Sequence, residues 1–315
     1  MYYTERKDDS MITAAEQLAQ LAEELGCRVY RNEPLCEHTT FKIGGPCTVM
    51  IAPDSVEDLS KLVRFSTEKK IRTLTMGKGS NMLCADEGFN GVVFLFDNSL
   101  GEIEQIDDVT LRAFSGASLI SVCRKALELS LSGLEFAYGI PGTVGGGVYM
   151  NAGAYQGEIK NVVKSVTAMD THGNLRTYRP SQIGFTYRGS RFCYSNEMII
   201  SADFELAKGS KQDIEGKMKE LIGRRKEKQP LEFPNAGSTF KRPEGQFAGK
   251  LIEDCGLRGC TVGGAQVSEK HCGFVINKGG ATCSDVRGLI DHIQRTVRDT
   301  TGFNLECEVR IIPYE

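Results

Sequence analysis

Two stretches of this chain could do chemistry with backbone rather than side chains. "GIPGTVGGGVYMNAGAY" (139–155) holds six glycines in 17 positions and no charged residue, and "MGKGSN" (76–81) sets Gly77 and Gly79 around Lys78. Glycine permits positive φ and close approach, and consecutive N–H groups can form a nest for an anion such as a pyrophosphate. Neither stretch is a standard nucleotide motif. "GKGS" lacks the upstream glycine of G-x-x-x-x-G-K-[ST], and "GKGSNM" lacks the third glycine of G-x-G-x-x-G. Tight turns and close element packing account for the shorter stretch as well as a ligand does. In the longer one, three successive glycines would cost a helix or strand several times the ~1 kcal/mol of a single glycine. It is therefore expected to lie as bare backbone against a phosphorylated cofactor.

The elements that must position these stretches follow from periodicity. Helices are expected over 11–25 (inward Met11, Ala15, Leu18, Ala22, Leu25), from Ser55 in a Ser-x-x-Asp start with Asp58, and over 118–129 and 210–228. Two more are expected over 247–255, closed by Gly256, and from Ser284 to Thr300, closed by Gly302. Strands are expected at 47–52, 72–76, 91–96, 109–114, 162–170, 174–179 and 197–206, then near 262–267 and 273–277. "LECEVRII" (305–312) alternates Leu305, Cys307, Val309 and Ile311 and is expected to be a half-buried strand. "KQPLEFPNAGSTFKRP" (228–243) changes texture and suggests a loop between domains.

Composition narrows the field. The 315 residues suffice for two or three domains, and a net charge of −3 gives no general affinity for nucleic acid or an anionic membrane. No 18-residue apolar run suggests a spanning helix, and "MYYTERKDDS" is unlike a secretory signal, so a cytoplasmic protein without membrane insertion is expected. Eleven cysteines form no Cys-x-x-Cys pair, and with only four histidines no zinc spacing arises. Structural thiols and no metal are expected.

Taken in order, "TTFKIGGP" (39–46), "GKGSN" (77–81), the 139–155 stretch, "YRGSRF" (187–192), "NAGSTFKRP" (235–243) and "LECEVR" (305–310) resemble a known family. It is the UDP-N-acetylenolpyruvoylglucosamine reductase (UDP-N-acetylmuramate dehydrogenase, MurB) family, and the resemblance runs over residues 35–312. It implies an α+β fold: an FAD-binding domain of the vanillyl-alcohol-oxidase (PCMH) type plus a C-terminal α/β substrate-binding domain. The implied parts are an N-terminal lobe (1–40), the FAD-binding domain (41–208) and the substrate domain (209–315), whose final strand carries Glu308 to the active site. The implied activity is NADPH-dependent reduction of the enolpyruvyl ether of a UDP-sugar to UDP-N-acetylmuramate for peptidoglycan, by a monomer or weak oligomer. A related FAD-dependent oxidase or dehydrogenase of an alcohol or hydroxy acid, or a non-catalytic flavin-binding sensor, are the competing readings.

The resemblance also implies the site. FAD contacts fall on Ile43, Gly44 and Gly45; on Gly77, Lys78, Gly79, Ser80 and Asn81; and on Gly139, Ile140, Pro141, Gly142, Thr143, Gly145, Gly146, Gly147, Asn151, Gly153 and Ala154. With no histidine in 76–90 or 139–155 and Cys84 the only nearby thiol, the flavin is expected to be non-covalent. Hydride would pass from NADPH to FAD N5 and then to the enolpyruvyl methylene carbon. Arg188 would hold the substrate carboxylate, Glu308 would help stabilise the enolic intermediate, and Ser238 would donate the proton. Lys228 and Arg242 would meet the UDP pyrophosphate. Fifty residues separate Arg188 from Ser238, as in the shorter subclass lacking a tyrosine-bearing substrate loop.

Overall fold

The computed structural model describes residues 6–315, with side chains from residue 14 onward. The described chain forms two compact units that interleave in sequence: the residues up to 32, 48–77 and 91–223, and residues 33–47, 78–90 and 224–315. Contiguous parts with breaks at 40 and 208 were expected; the reason for the difference is apolar. Phe41, Ile43 and Leu83 are buried in the same core as Leu251, Val286 and Ile293, which draws 33–47 and 78–90 into the second unit.

In the first unit, α1 (Arg6–Glu24) buries Ala15, Leu18 and Ala22 as expected, while the Met11 side chain lies outside the described residues. The helix α2 (Val56–Glu68) starts where the Ser55 hydroxyl accepts the Asp58 N–H at 3.0 Å. Leu59, Leu62 and Val63 of α2 pack with the α1 residues and with Val49, Ile51, Val92 and Phe94 of a four-stranded sheet. That sheet takes the order Arg28–Pro34, Pro46–Ala52, Phe89–Leu95, Thr73–Met76.

A second, antiparallel sheet of five strands runs Leu175–Tyr178, Val163–Met169, Met198–Glu205, Thr110–Phe114, Ile103–Gln105. The helices α3 (Leu119–Glu128) and α4 (Val144–Tyr149) share its core through Leu119, Val122, Val144 and Val148. The short α5 (Pro180–Ile183) contributes Ile183, and α6 (Lys211–Lys228) contributes Ile214 and Met218. The triple glycine, for which no helix was expected from periodicity, lies in α4, because "VGGGVY" is helical. Its glycines let the helix approach its neighbours: a Cβ on Gly145 would stand 1.9 Å from Ser115 Oγ, and one on Gly147 3.2 Å from Leu119.

The second unit holds α7 (Ala248–Asp254), α8 (Cys283–Thr301) and a three-stranded antiparallel sheet of Thr261–Val262, Ala265–Val267 and Val275–Asn277. Leu289, Ile290, Ile293 and Val297 of α8 pack on that sheet. α8 begins one residue earlier than expected, because its cap is Thr282. The Thr282 hydroxyl accepts the Asp285 N–H at 3.0 Å, and the Asp285 carboxylate accepts the Thr282 N–H at 3.0 Å. Asp86 takes the next two donors, from Cys283 N at 2.6 Å and Ser284 N at 3.0 Å. Thr282→Ala is expected to cost about 1 kcal/mol, read as a lower urea midpoint at unchanged slope. An unchanged midpoint would mean that Asp86 alone suffices to cap α8.

The expected strand 305–312 is divided. Around Cys307 the chain pairs antiparallel with Phe240, whereas Arg310–Ile312 pairs parallel with Met82–Cys84. The change of partner interrupts the ladder, so only the last three residues form a regular strand. All eleven cysteines are free. Burial pushes the Cys47 and Cys84 thiols up to about 12, which leaves them protonated and inert at neutral pH.

Candidate active site

In the first unit the glycine-rich run, α4 and the segment around Arg188 are fastened together. Thr143 caps α4, its hydroxyl accepting from Gly146 N at 3.4 Å. Gly77 passes so close that a Cβ there would lie 2.4 Å from the same hydroxyl oxygen, so the first residue of "GKGSN" meets the 139–155 stretch. Gly139, Ile140, Gly142, Met150, Ala152, Gly153 and Ala154 are half-buried, Pro141 and Gly146 are exposed, and no residue from 139 to 157 is charged. Unlike Gly145, Gly146 has nothing nearer to a notional Cβ than 3.6 Å.

Arg188 sits in a tight turn closed by Thr186 N–H to Gly189 O at 2.9 Å, with a left-handed φ of +55°. Its Nη2 donates to Gly153 O at 3.0 Å, and its guanidinium lies 5.1 Å from the Tyr187 ring centroid. Before the turn, the Asn151 amide donates to Thr186 O at 2.9 Å. After it, the hydroxyl of buried Ser190 donates to Tyr149 O at 2.8 Å. Further along, Arg191 stacks 4.2 Å over buried Tyr178 and pairs with Glu197 at 3.2 Å, while the Tyr178 hydroxyl donates to Glu197. Each bond removes freedom from the turn that presents Arg188. Left-handed φ at non-glycine residues concentrates here too: Asn151, Tyr155, Gln156 and Arg188 are four of the eight such residues among the described ones. Backbone of this kind costs of order 1 kcal/mol or more per residue and gathers at functional sites.

In the second unit Ser238 and Glu308 come to adjacent backbone. Glu308 N–H donates to the carbonyl of Thr239, the residue after Ser238, at 2.8 Å, and Lys241 N–H donates to Glu306 O at 2.8 Å. Thr239 is fixed in turn, its N–H on Gly273 O at 2.9 Å and its hydroxyl accepting from Val275 N at 2.9 Å. Asn81, closing "GKGSN", donates from its amide to Glu308 O at 3.0 Å. The alternation read from sequence holds only as far as Val309: Leu305, Cys307 and Val309 join the core, Glu306 is exposed and Glu308 half-buried, but Ile311, expected inward, is exposed and Ile312 is buried instead, where the chain has changed strand partner.

The remaining predicted residues divide by surroundings. Ile43 is buried in the second unit's core, and a Cβ on Gly44 or Gly45 would meet Cys84 or Asp86 at 2.6 or 2.2 Å. Gly79 is left-handed, at φ +56°, with its Cβ direction closed by His38 O at 2.4 Å. Lys78 is exposed, and Ser80 and Asn81 are half-buried. Lys228 is exposed at the end of α6. Arg242 donates to Gln246 O at 3.3 Å and stacks 3.8 Å over exposed Phe247. Glu158 and Thr239, which anchor the predicted residues, escaped sequence reasoning. "GEIKN" and "STF" carry no signal beyond the partners that the fold supplies.

Comparison with known proteins gives this geometry a context. Residues 229–312 match the family described as UDP-N-acetylenolpyruvoylglucosamine reductase, C-terminal domain, and residues 47–179 match the FAD binding domain family. A UDP-N-acetylenolpyruvoylglucosamine reductase of Clostridium botulinum (strain Eklund 17B / Type B) is 47% identical over 287 residues, 90% of this chain and 93% of that protein. One of Agathobacter rectalis is 46% identical over 311 residues, 95% of this chain and 97% of its own length. Among solved structures, the UDP-N-acetylenolpyruvylglucosamine reductase (MurB) of Thermus caldophilus aligns with a TM-score of 0.79 at 32% identity, covering 91% of this chain and all of that one. Among the described residues no helix is long and apolar enough to cross a membrane, and no cluster of His, Cys, Asp and Glu has the makings of a metal site.

Proposed function

The chain belongs to the UDP-N-acetylenolpyruvoylglucosamine reductase family, and from that premise we propose that it is an FAD-dependent oxidoreductase that reduces UDP-N-acetylglucosamine enolpyruvate to UDP-N-acetylmuramate at the expense of NADPH. The observation that carries the reading is similarity over nine-tenths of the chain, spanning both the FAD-binding match and the reductase-specific C-terminal match. The residues fit the cofactor. The uncharged, partly exposed run 139–154, with Gly146 open, suits a flat ring system, and left-handed Gly79 beside exposed Lys78 suits a pyrophosphate. Non-covalent FAD, when bound, supplies the hydride-carrying chemistry.

The chain's own residues do the rest. Arg188 forks onto the substrate carboxylate and damps the charge that gathers on the adjacent carbon as hydride reaches the methylene. Glu308 stabilises the enolic form by hydrogen bonding. Ser238 gives its proton to that carbon, which completes addition of one hydride and one proton across the double bond. Lys228 and Arg242 serve the UDP pyrophosphate. A cytoplasmic place in peptidoglycan precursor synthesis follows from the substrate.

The test is anaerobic absorbance of the purified protein. NADPH is expected to bleach the yellow band, and the enolpyruvyl compound to restore it. Bleaching without recovery would remove the substrate from this reading, and a colourless protein that never takes up FAD would remove the cofactor.

A further inference from the structure

Both glycine-rich stretches contain an asparagine whose side chain reaches the main chain beside a residue assigned to the chemistry. Asn151 is fully buried and left-handed, at φ +43°. Its amide donates to Thr186 O at 2.9 Å and to Glu158 Oε2 at 3.3 Å, and its oxygen accepts from Lys160 N at 3.0 Å. Asn81 donates to Glu308 O at 3.0 Å, while its own carbonyl accepts from Arg310 N at 3.0 Å. The amide of Asn151 is thus committed to protein groups, although the motif around it suggested a cofactor ligand.

We propose that Asn151 and Asn81 are positioning residues that tie the two cofactor stretches to Arg188 and to Glu308, an inference that rests on the functional reading above. The side-chain type follows from the bonds. Glycine would adopt the φ of Asn151 but join nothing. Aspartate would lose the donor to Thr186 and set a second negative charge beside Glu158. Asparagine tolerates the left-handed region and offers donors and an acceptor in one short side chain. At position 81 the only group that reaches Glu308 O is the amide nitrogen, so alanine removes that link and leaves the backbone bonds of residue 81 in place.

Paired substitutions test this. Asn151→Gly and Asn81→Ala are each saturated with FAD and fully reduced before the enolpyruvyl compound is added, so that recovery is read apart from any change in cofactor binding. The limiting rate of recovery with the enolpyruvyl compound should fall by about 10–100-fold, the range for reacting groups displaced by ~1 Å. A residue acting through another loses its effect when that other is truncated. Asn151→Gly should therefore add less than about 2-fold on top of Arg188→Ala, and Asn81→Ala likewise on top of Glu308→Ala. Losses of equal size in both backgrounds, or no loss in the single variants, would overturn the proposal. Should Asn151→Gly fail to fold or to hold FAD, the Asn81 and Glu308 pair decides alone. A wild type that never recovers colour overturns the functional reading and this one with it; a wild type that recovers, with additive pairs, overturns this one only.

Discussion

Ser238→Ala bleaches with NADPH at the wild-type rate and then stays bleached when the enolpyruvyl compound is added: that is the first expected result. The alanine removes one oxygen beside Thr239, whose carbonyl and hydroxyl keep their bonds to Glu308 and Val275. Binding of FAD and its reduction draw on other segments, so neither should change. What is lost is the proton donor proposed above. General acids contribute about 10²–10⁴-fold, and recovery of the yellow band in single turnover should slow by that factor with little change in half-saturation. Recovery within about tenfold of wild type would place the donor elsewhere, since water alone does not replace a positioned acid at that level.

The second large effect concerns stability. Gly145→Ala puts a methyl 1.9 Å from the Ser115 hydroxyl, and Ser115 is itself buried. Overpacking of this kind costs about 1–3 kcal/mol, up to a hundredfold in the ratio of folded to unfolded chains. The clash has one principal partner: with the hydroxyl gone, the next atoms stand at 3.2 and 3.4 Å. Ser115→Ala should therefore restore more than half of the lost urea midpoint in the double variant. Gly146→Ala, one residue on and exposed, meets nothing within 3.4 Å and should leave stability equal or slightly raised by helix propensity. Its expected defect is weaker FAD retention, measured by dilution through a desalting column. A destabilised Gly146→Ala with normal FAD content would reverse the roles assigned to the two glycines.

These neighbours show where sequence reading succeeds and where it stops. Helices were expected from Ser55 and from Ser284, and the fold buries one face of each, with Leu59 and Leu62 in α2 and Leu289 and Ile293 in α8. Gly256 and Gly302 closed α7 and α8 as read, both left-handed. The cost of the triple glycine was assigned to a bound ligand alone because the packing partners that also demand small residues, Ser115 against Gly145 and Leu119 against Gly147, lie 30 and 28 residues away in the chain. The same limit hid the role of Asn151: its partners Thr186 and Lys160 become neighbours only after the sheet forms. Arg188, Ser238 and Glu308 could be named from motif resemblance, but the bonds that aim them could not.

The interleaving of the two units has a consequence for synthesis. Phe41, Ile43 and Leu83 leave the ribosome early, yet the core that covers them includes Leu305 and Val309, among the last residues made. Cys84 and its neighbours likewise wait for Arg310–Ile312 to supply their strand partner. Three large apolar side chains thus stay without their final cover through the translation of more than 200 further residues, a nascent surface on which chaperones or other chains can settle. A chain cut short before residue 305 would carry that surface permanently, so stalled or truncated products should be disposed to aggregate even though most of the first unit's sequence is complete.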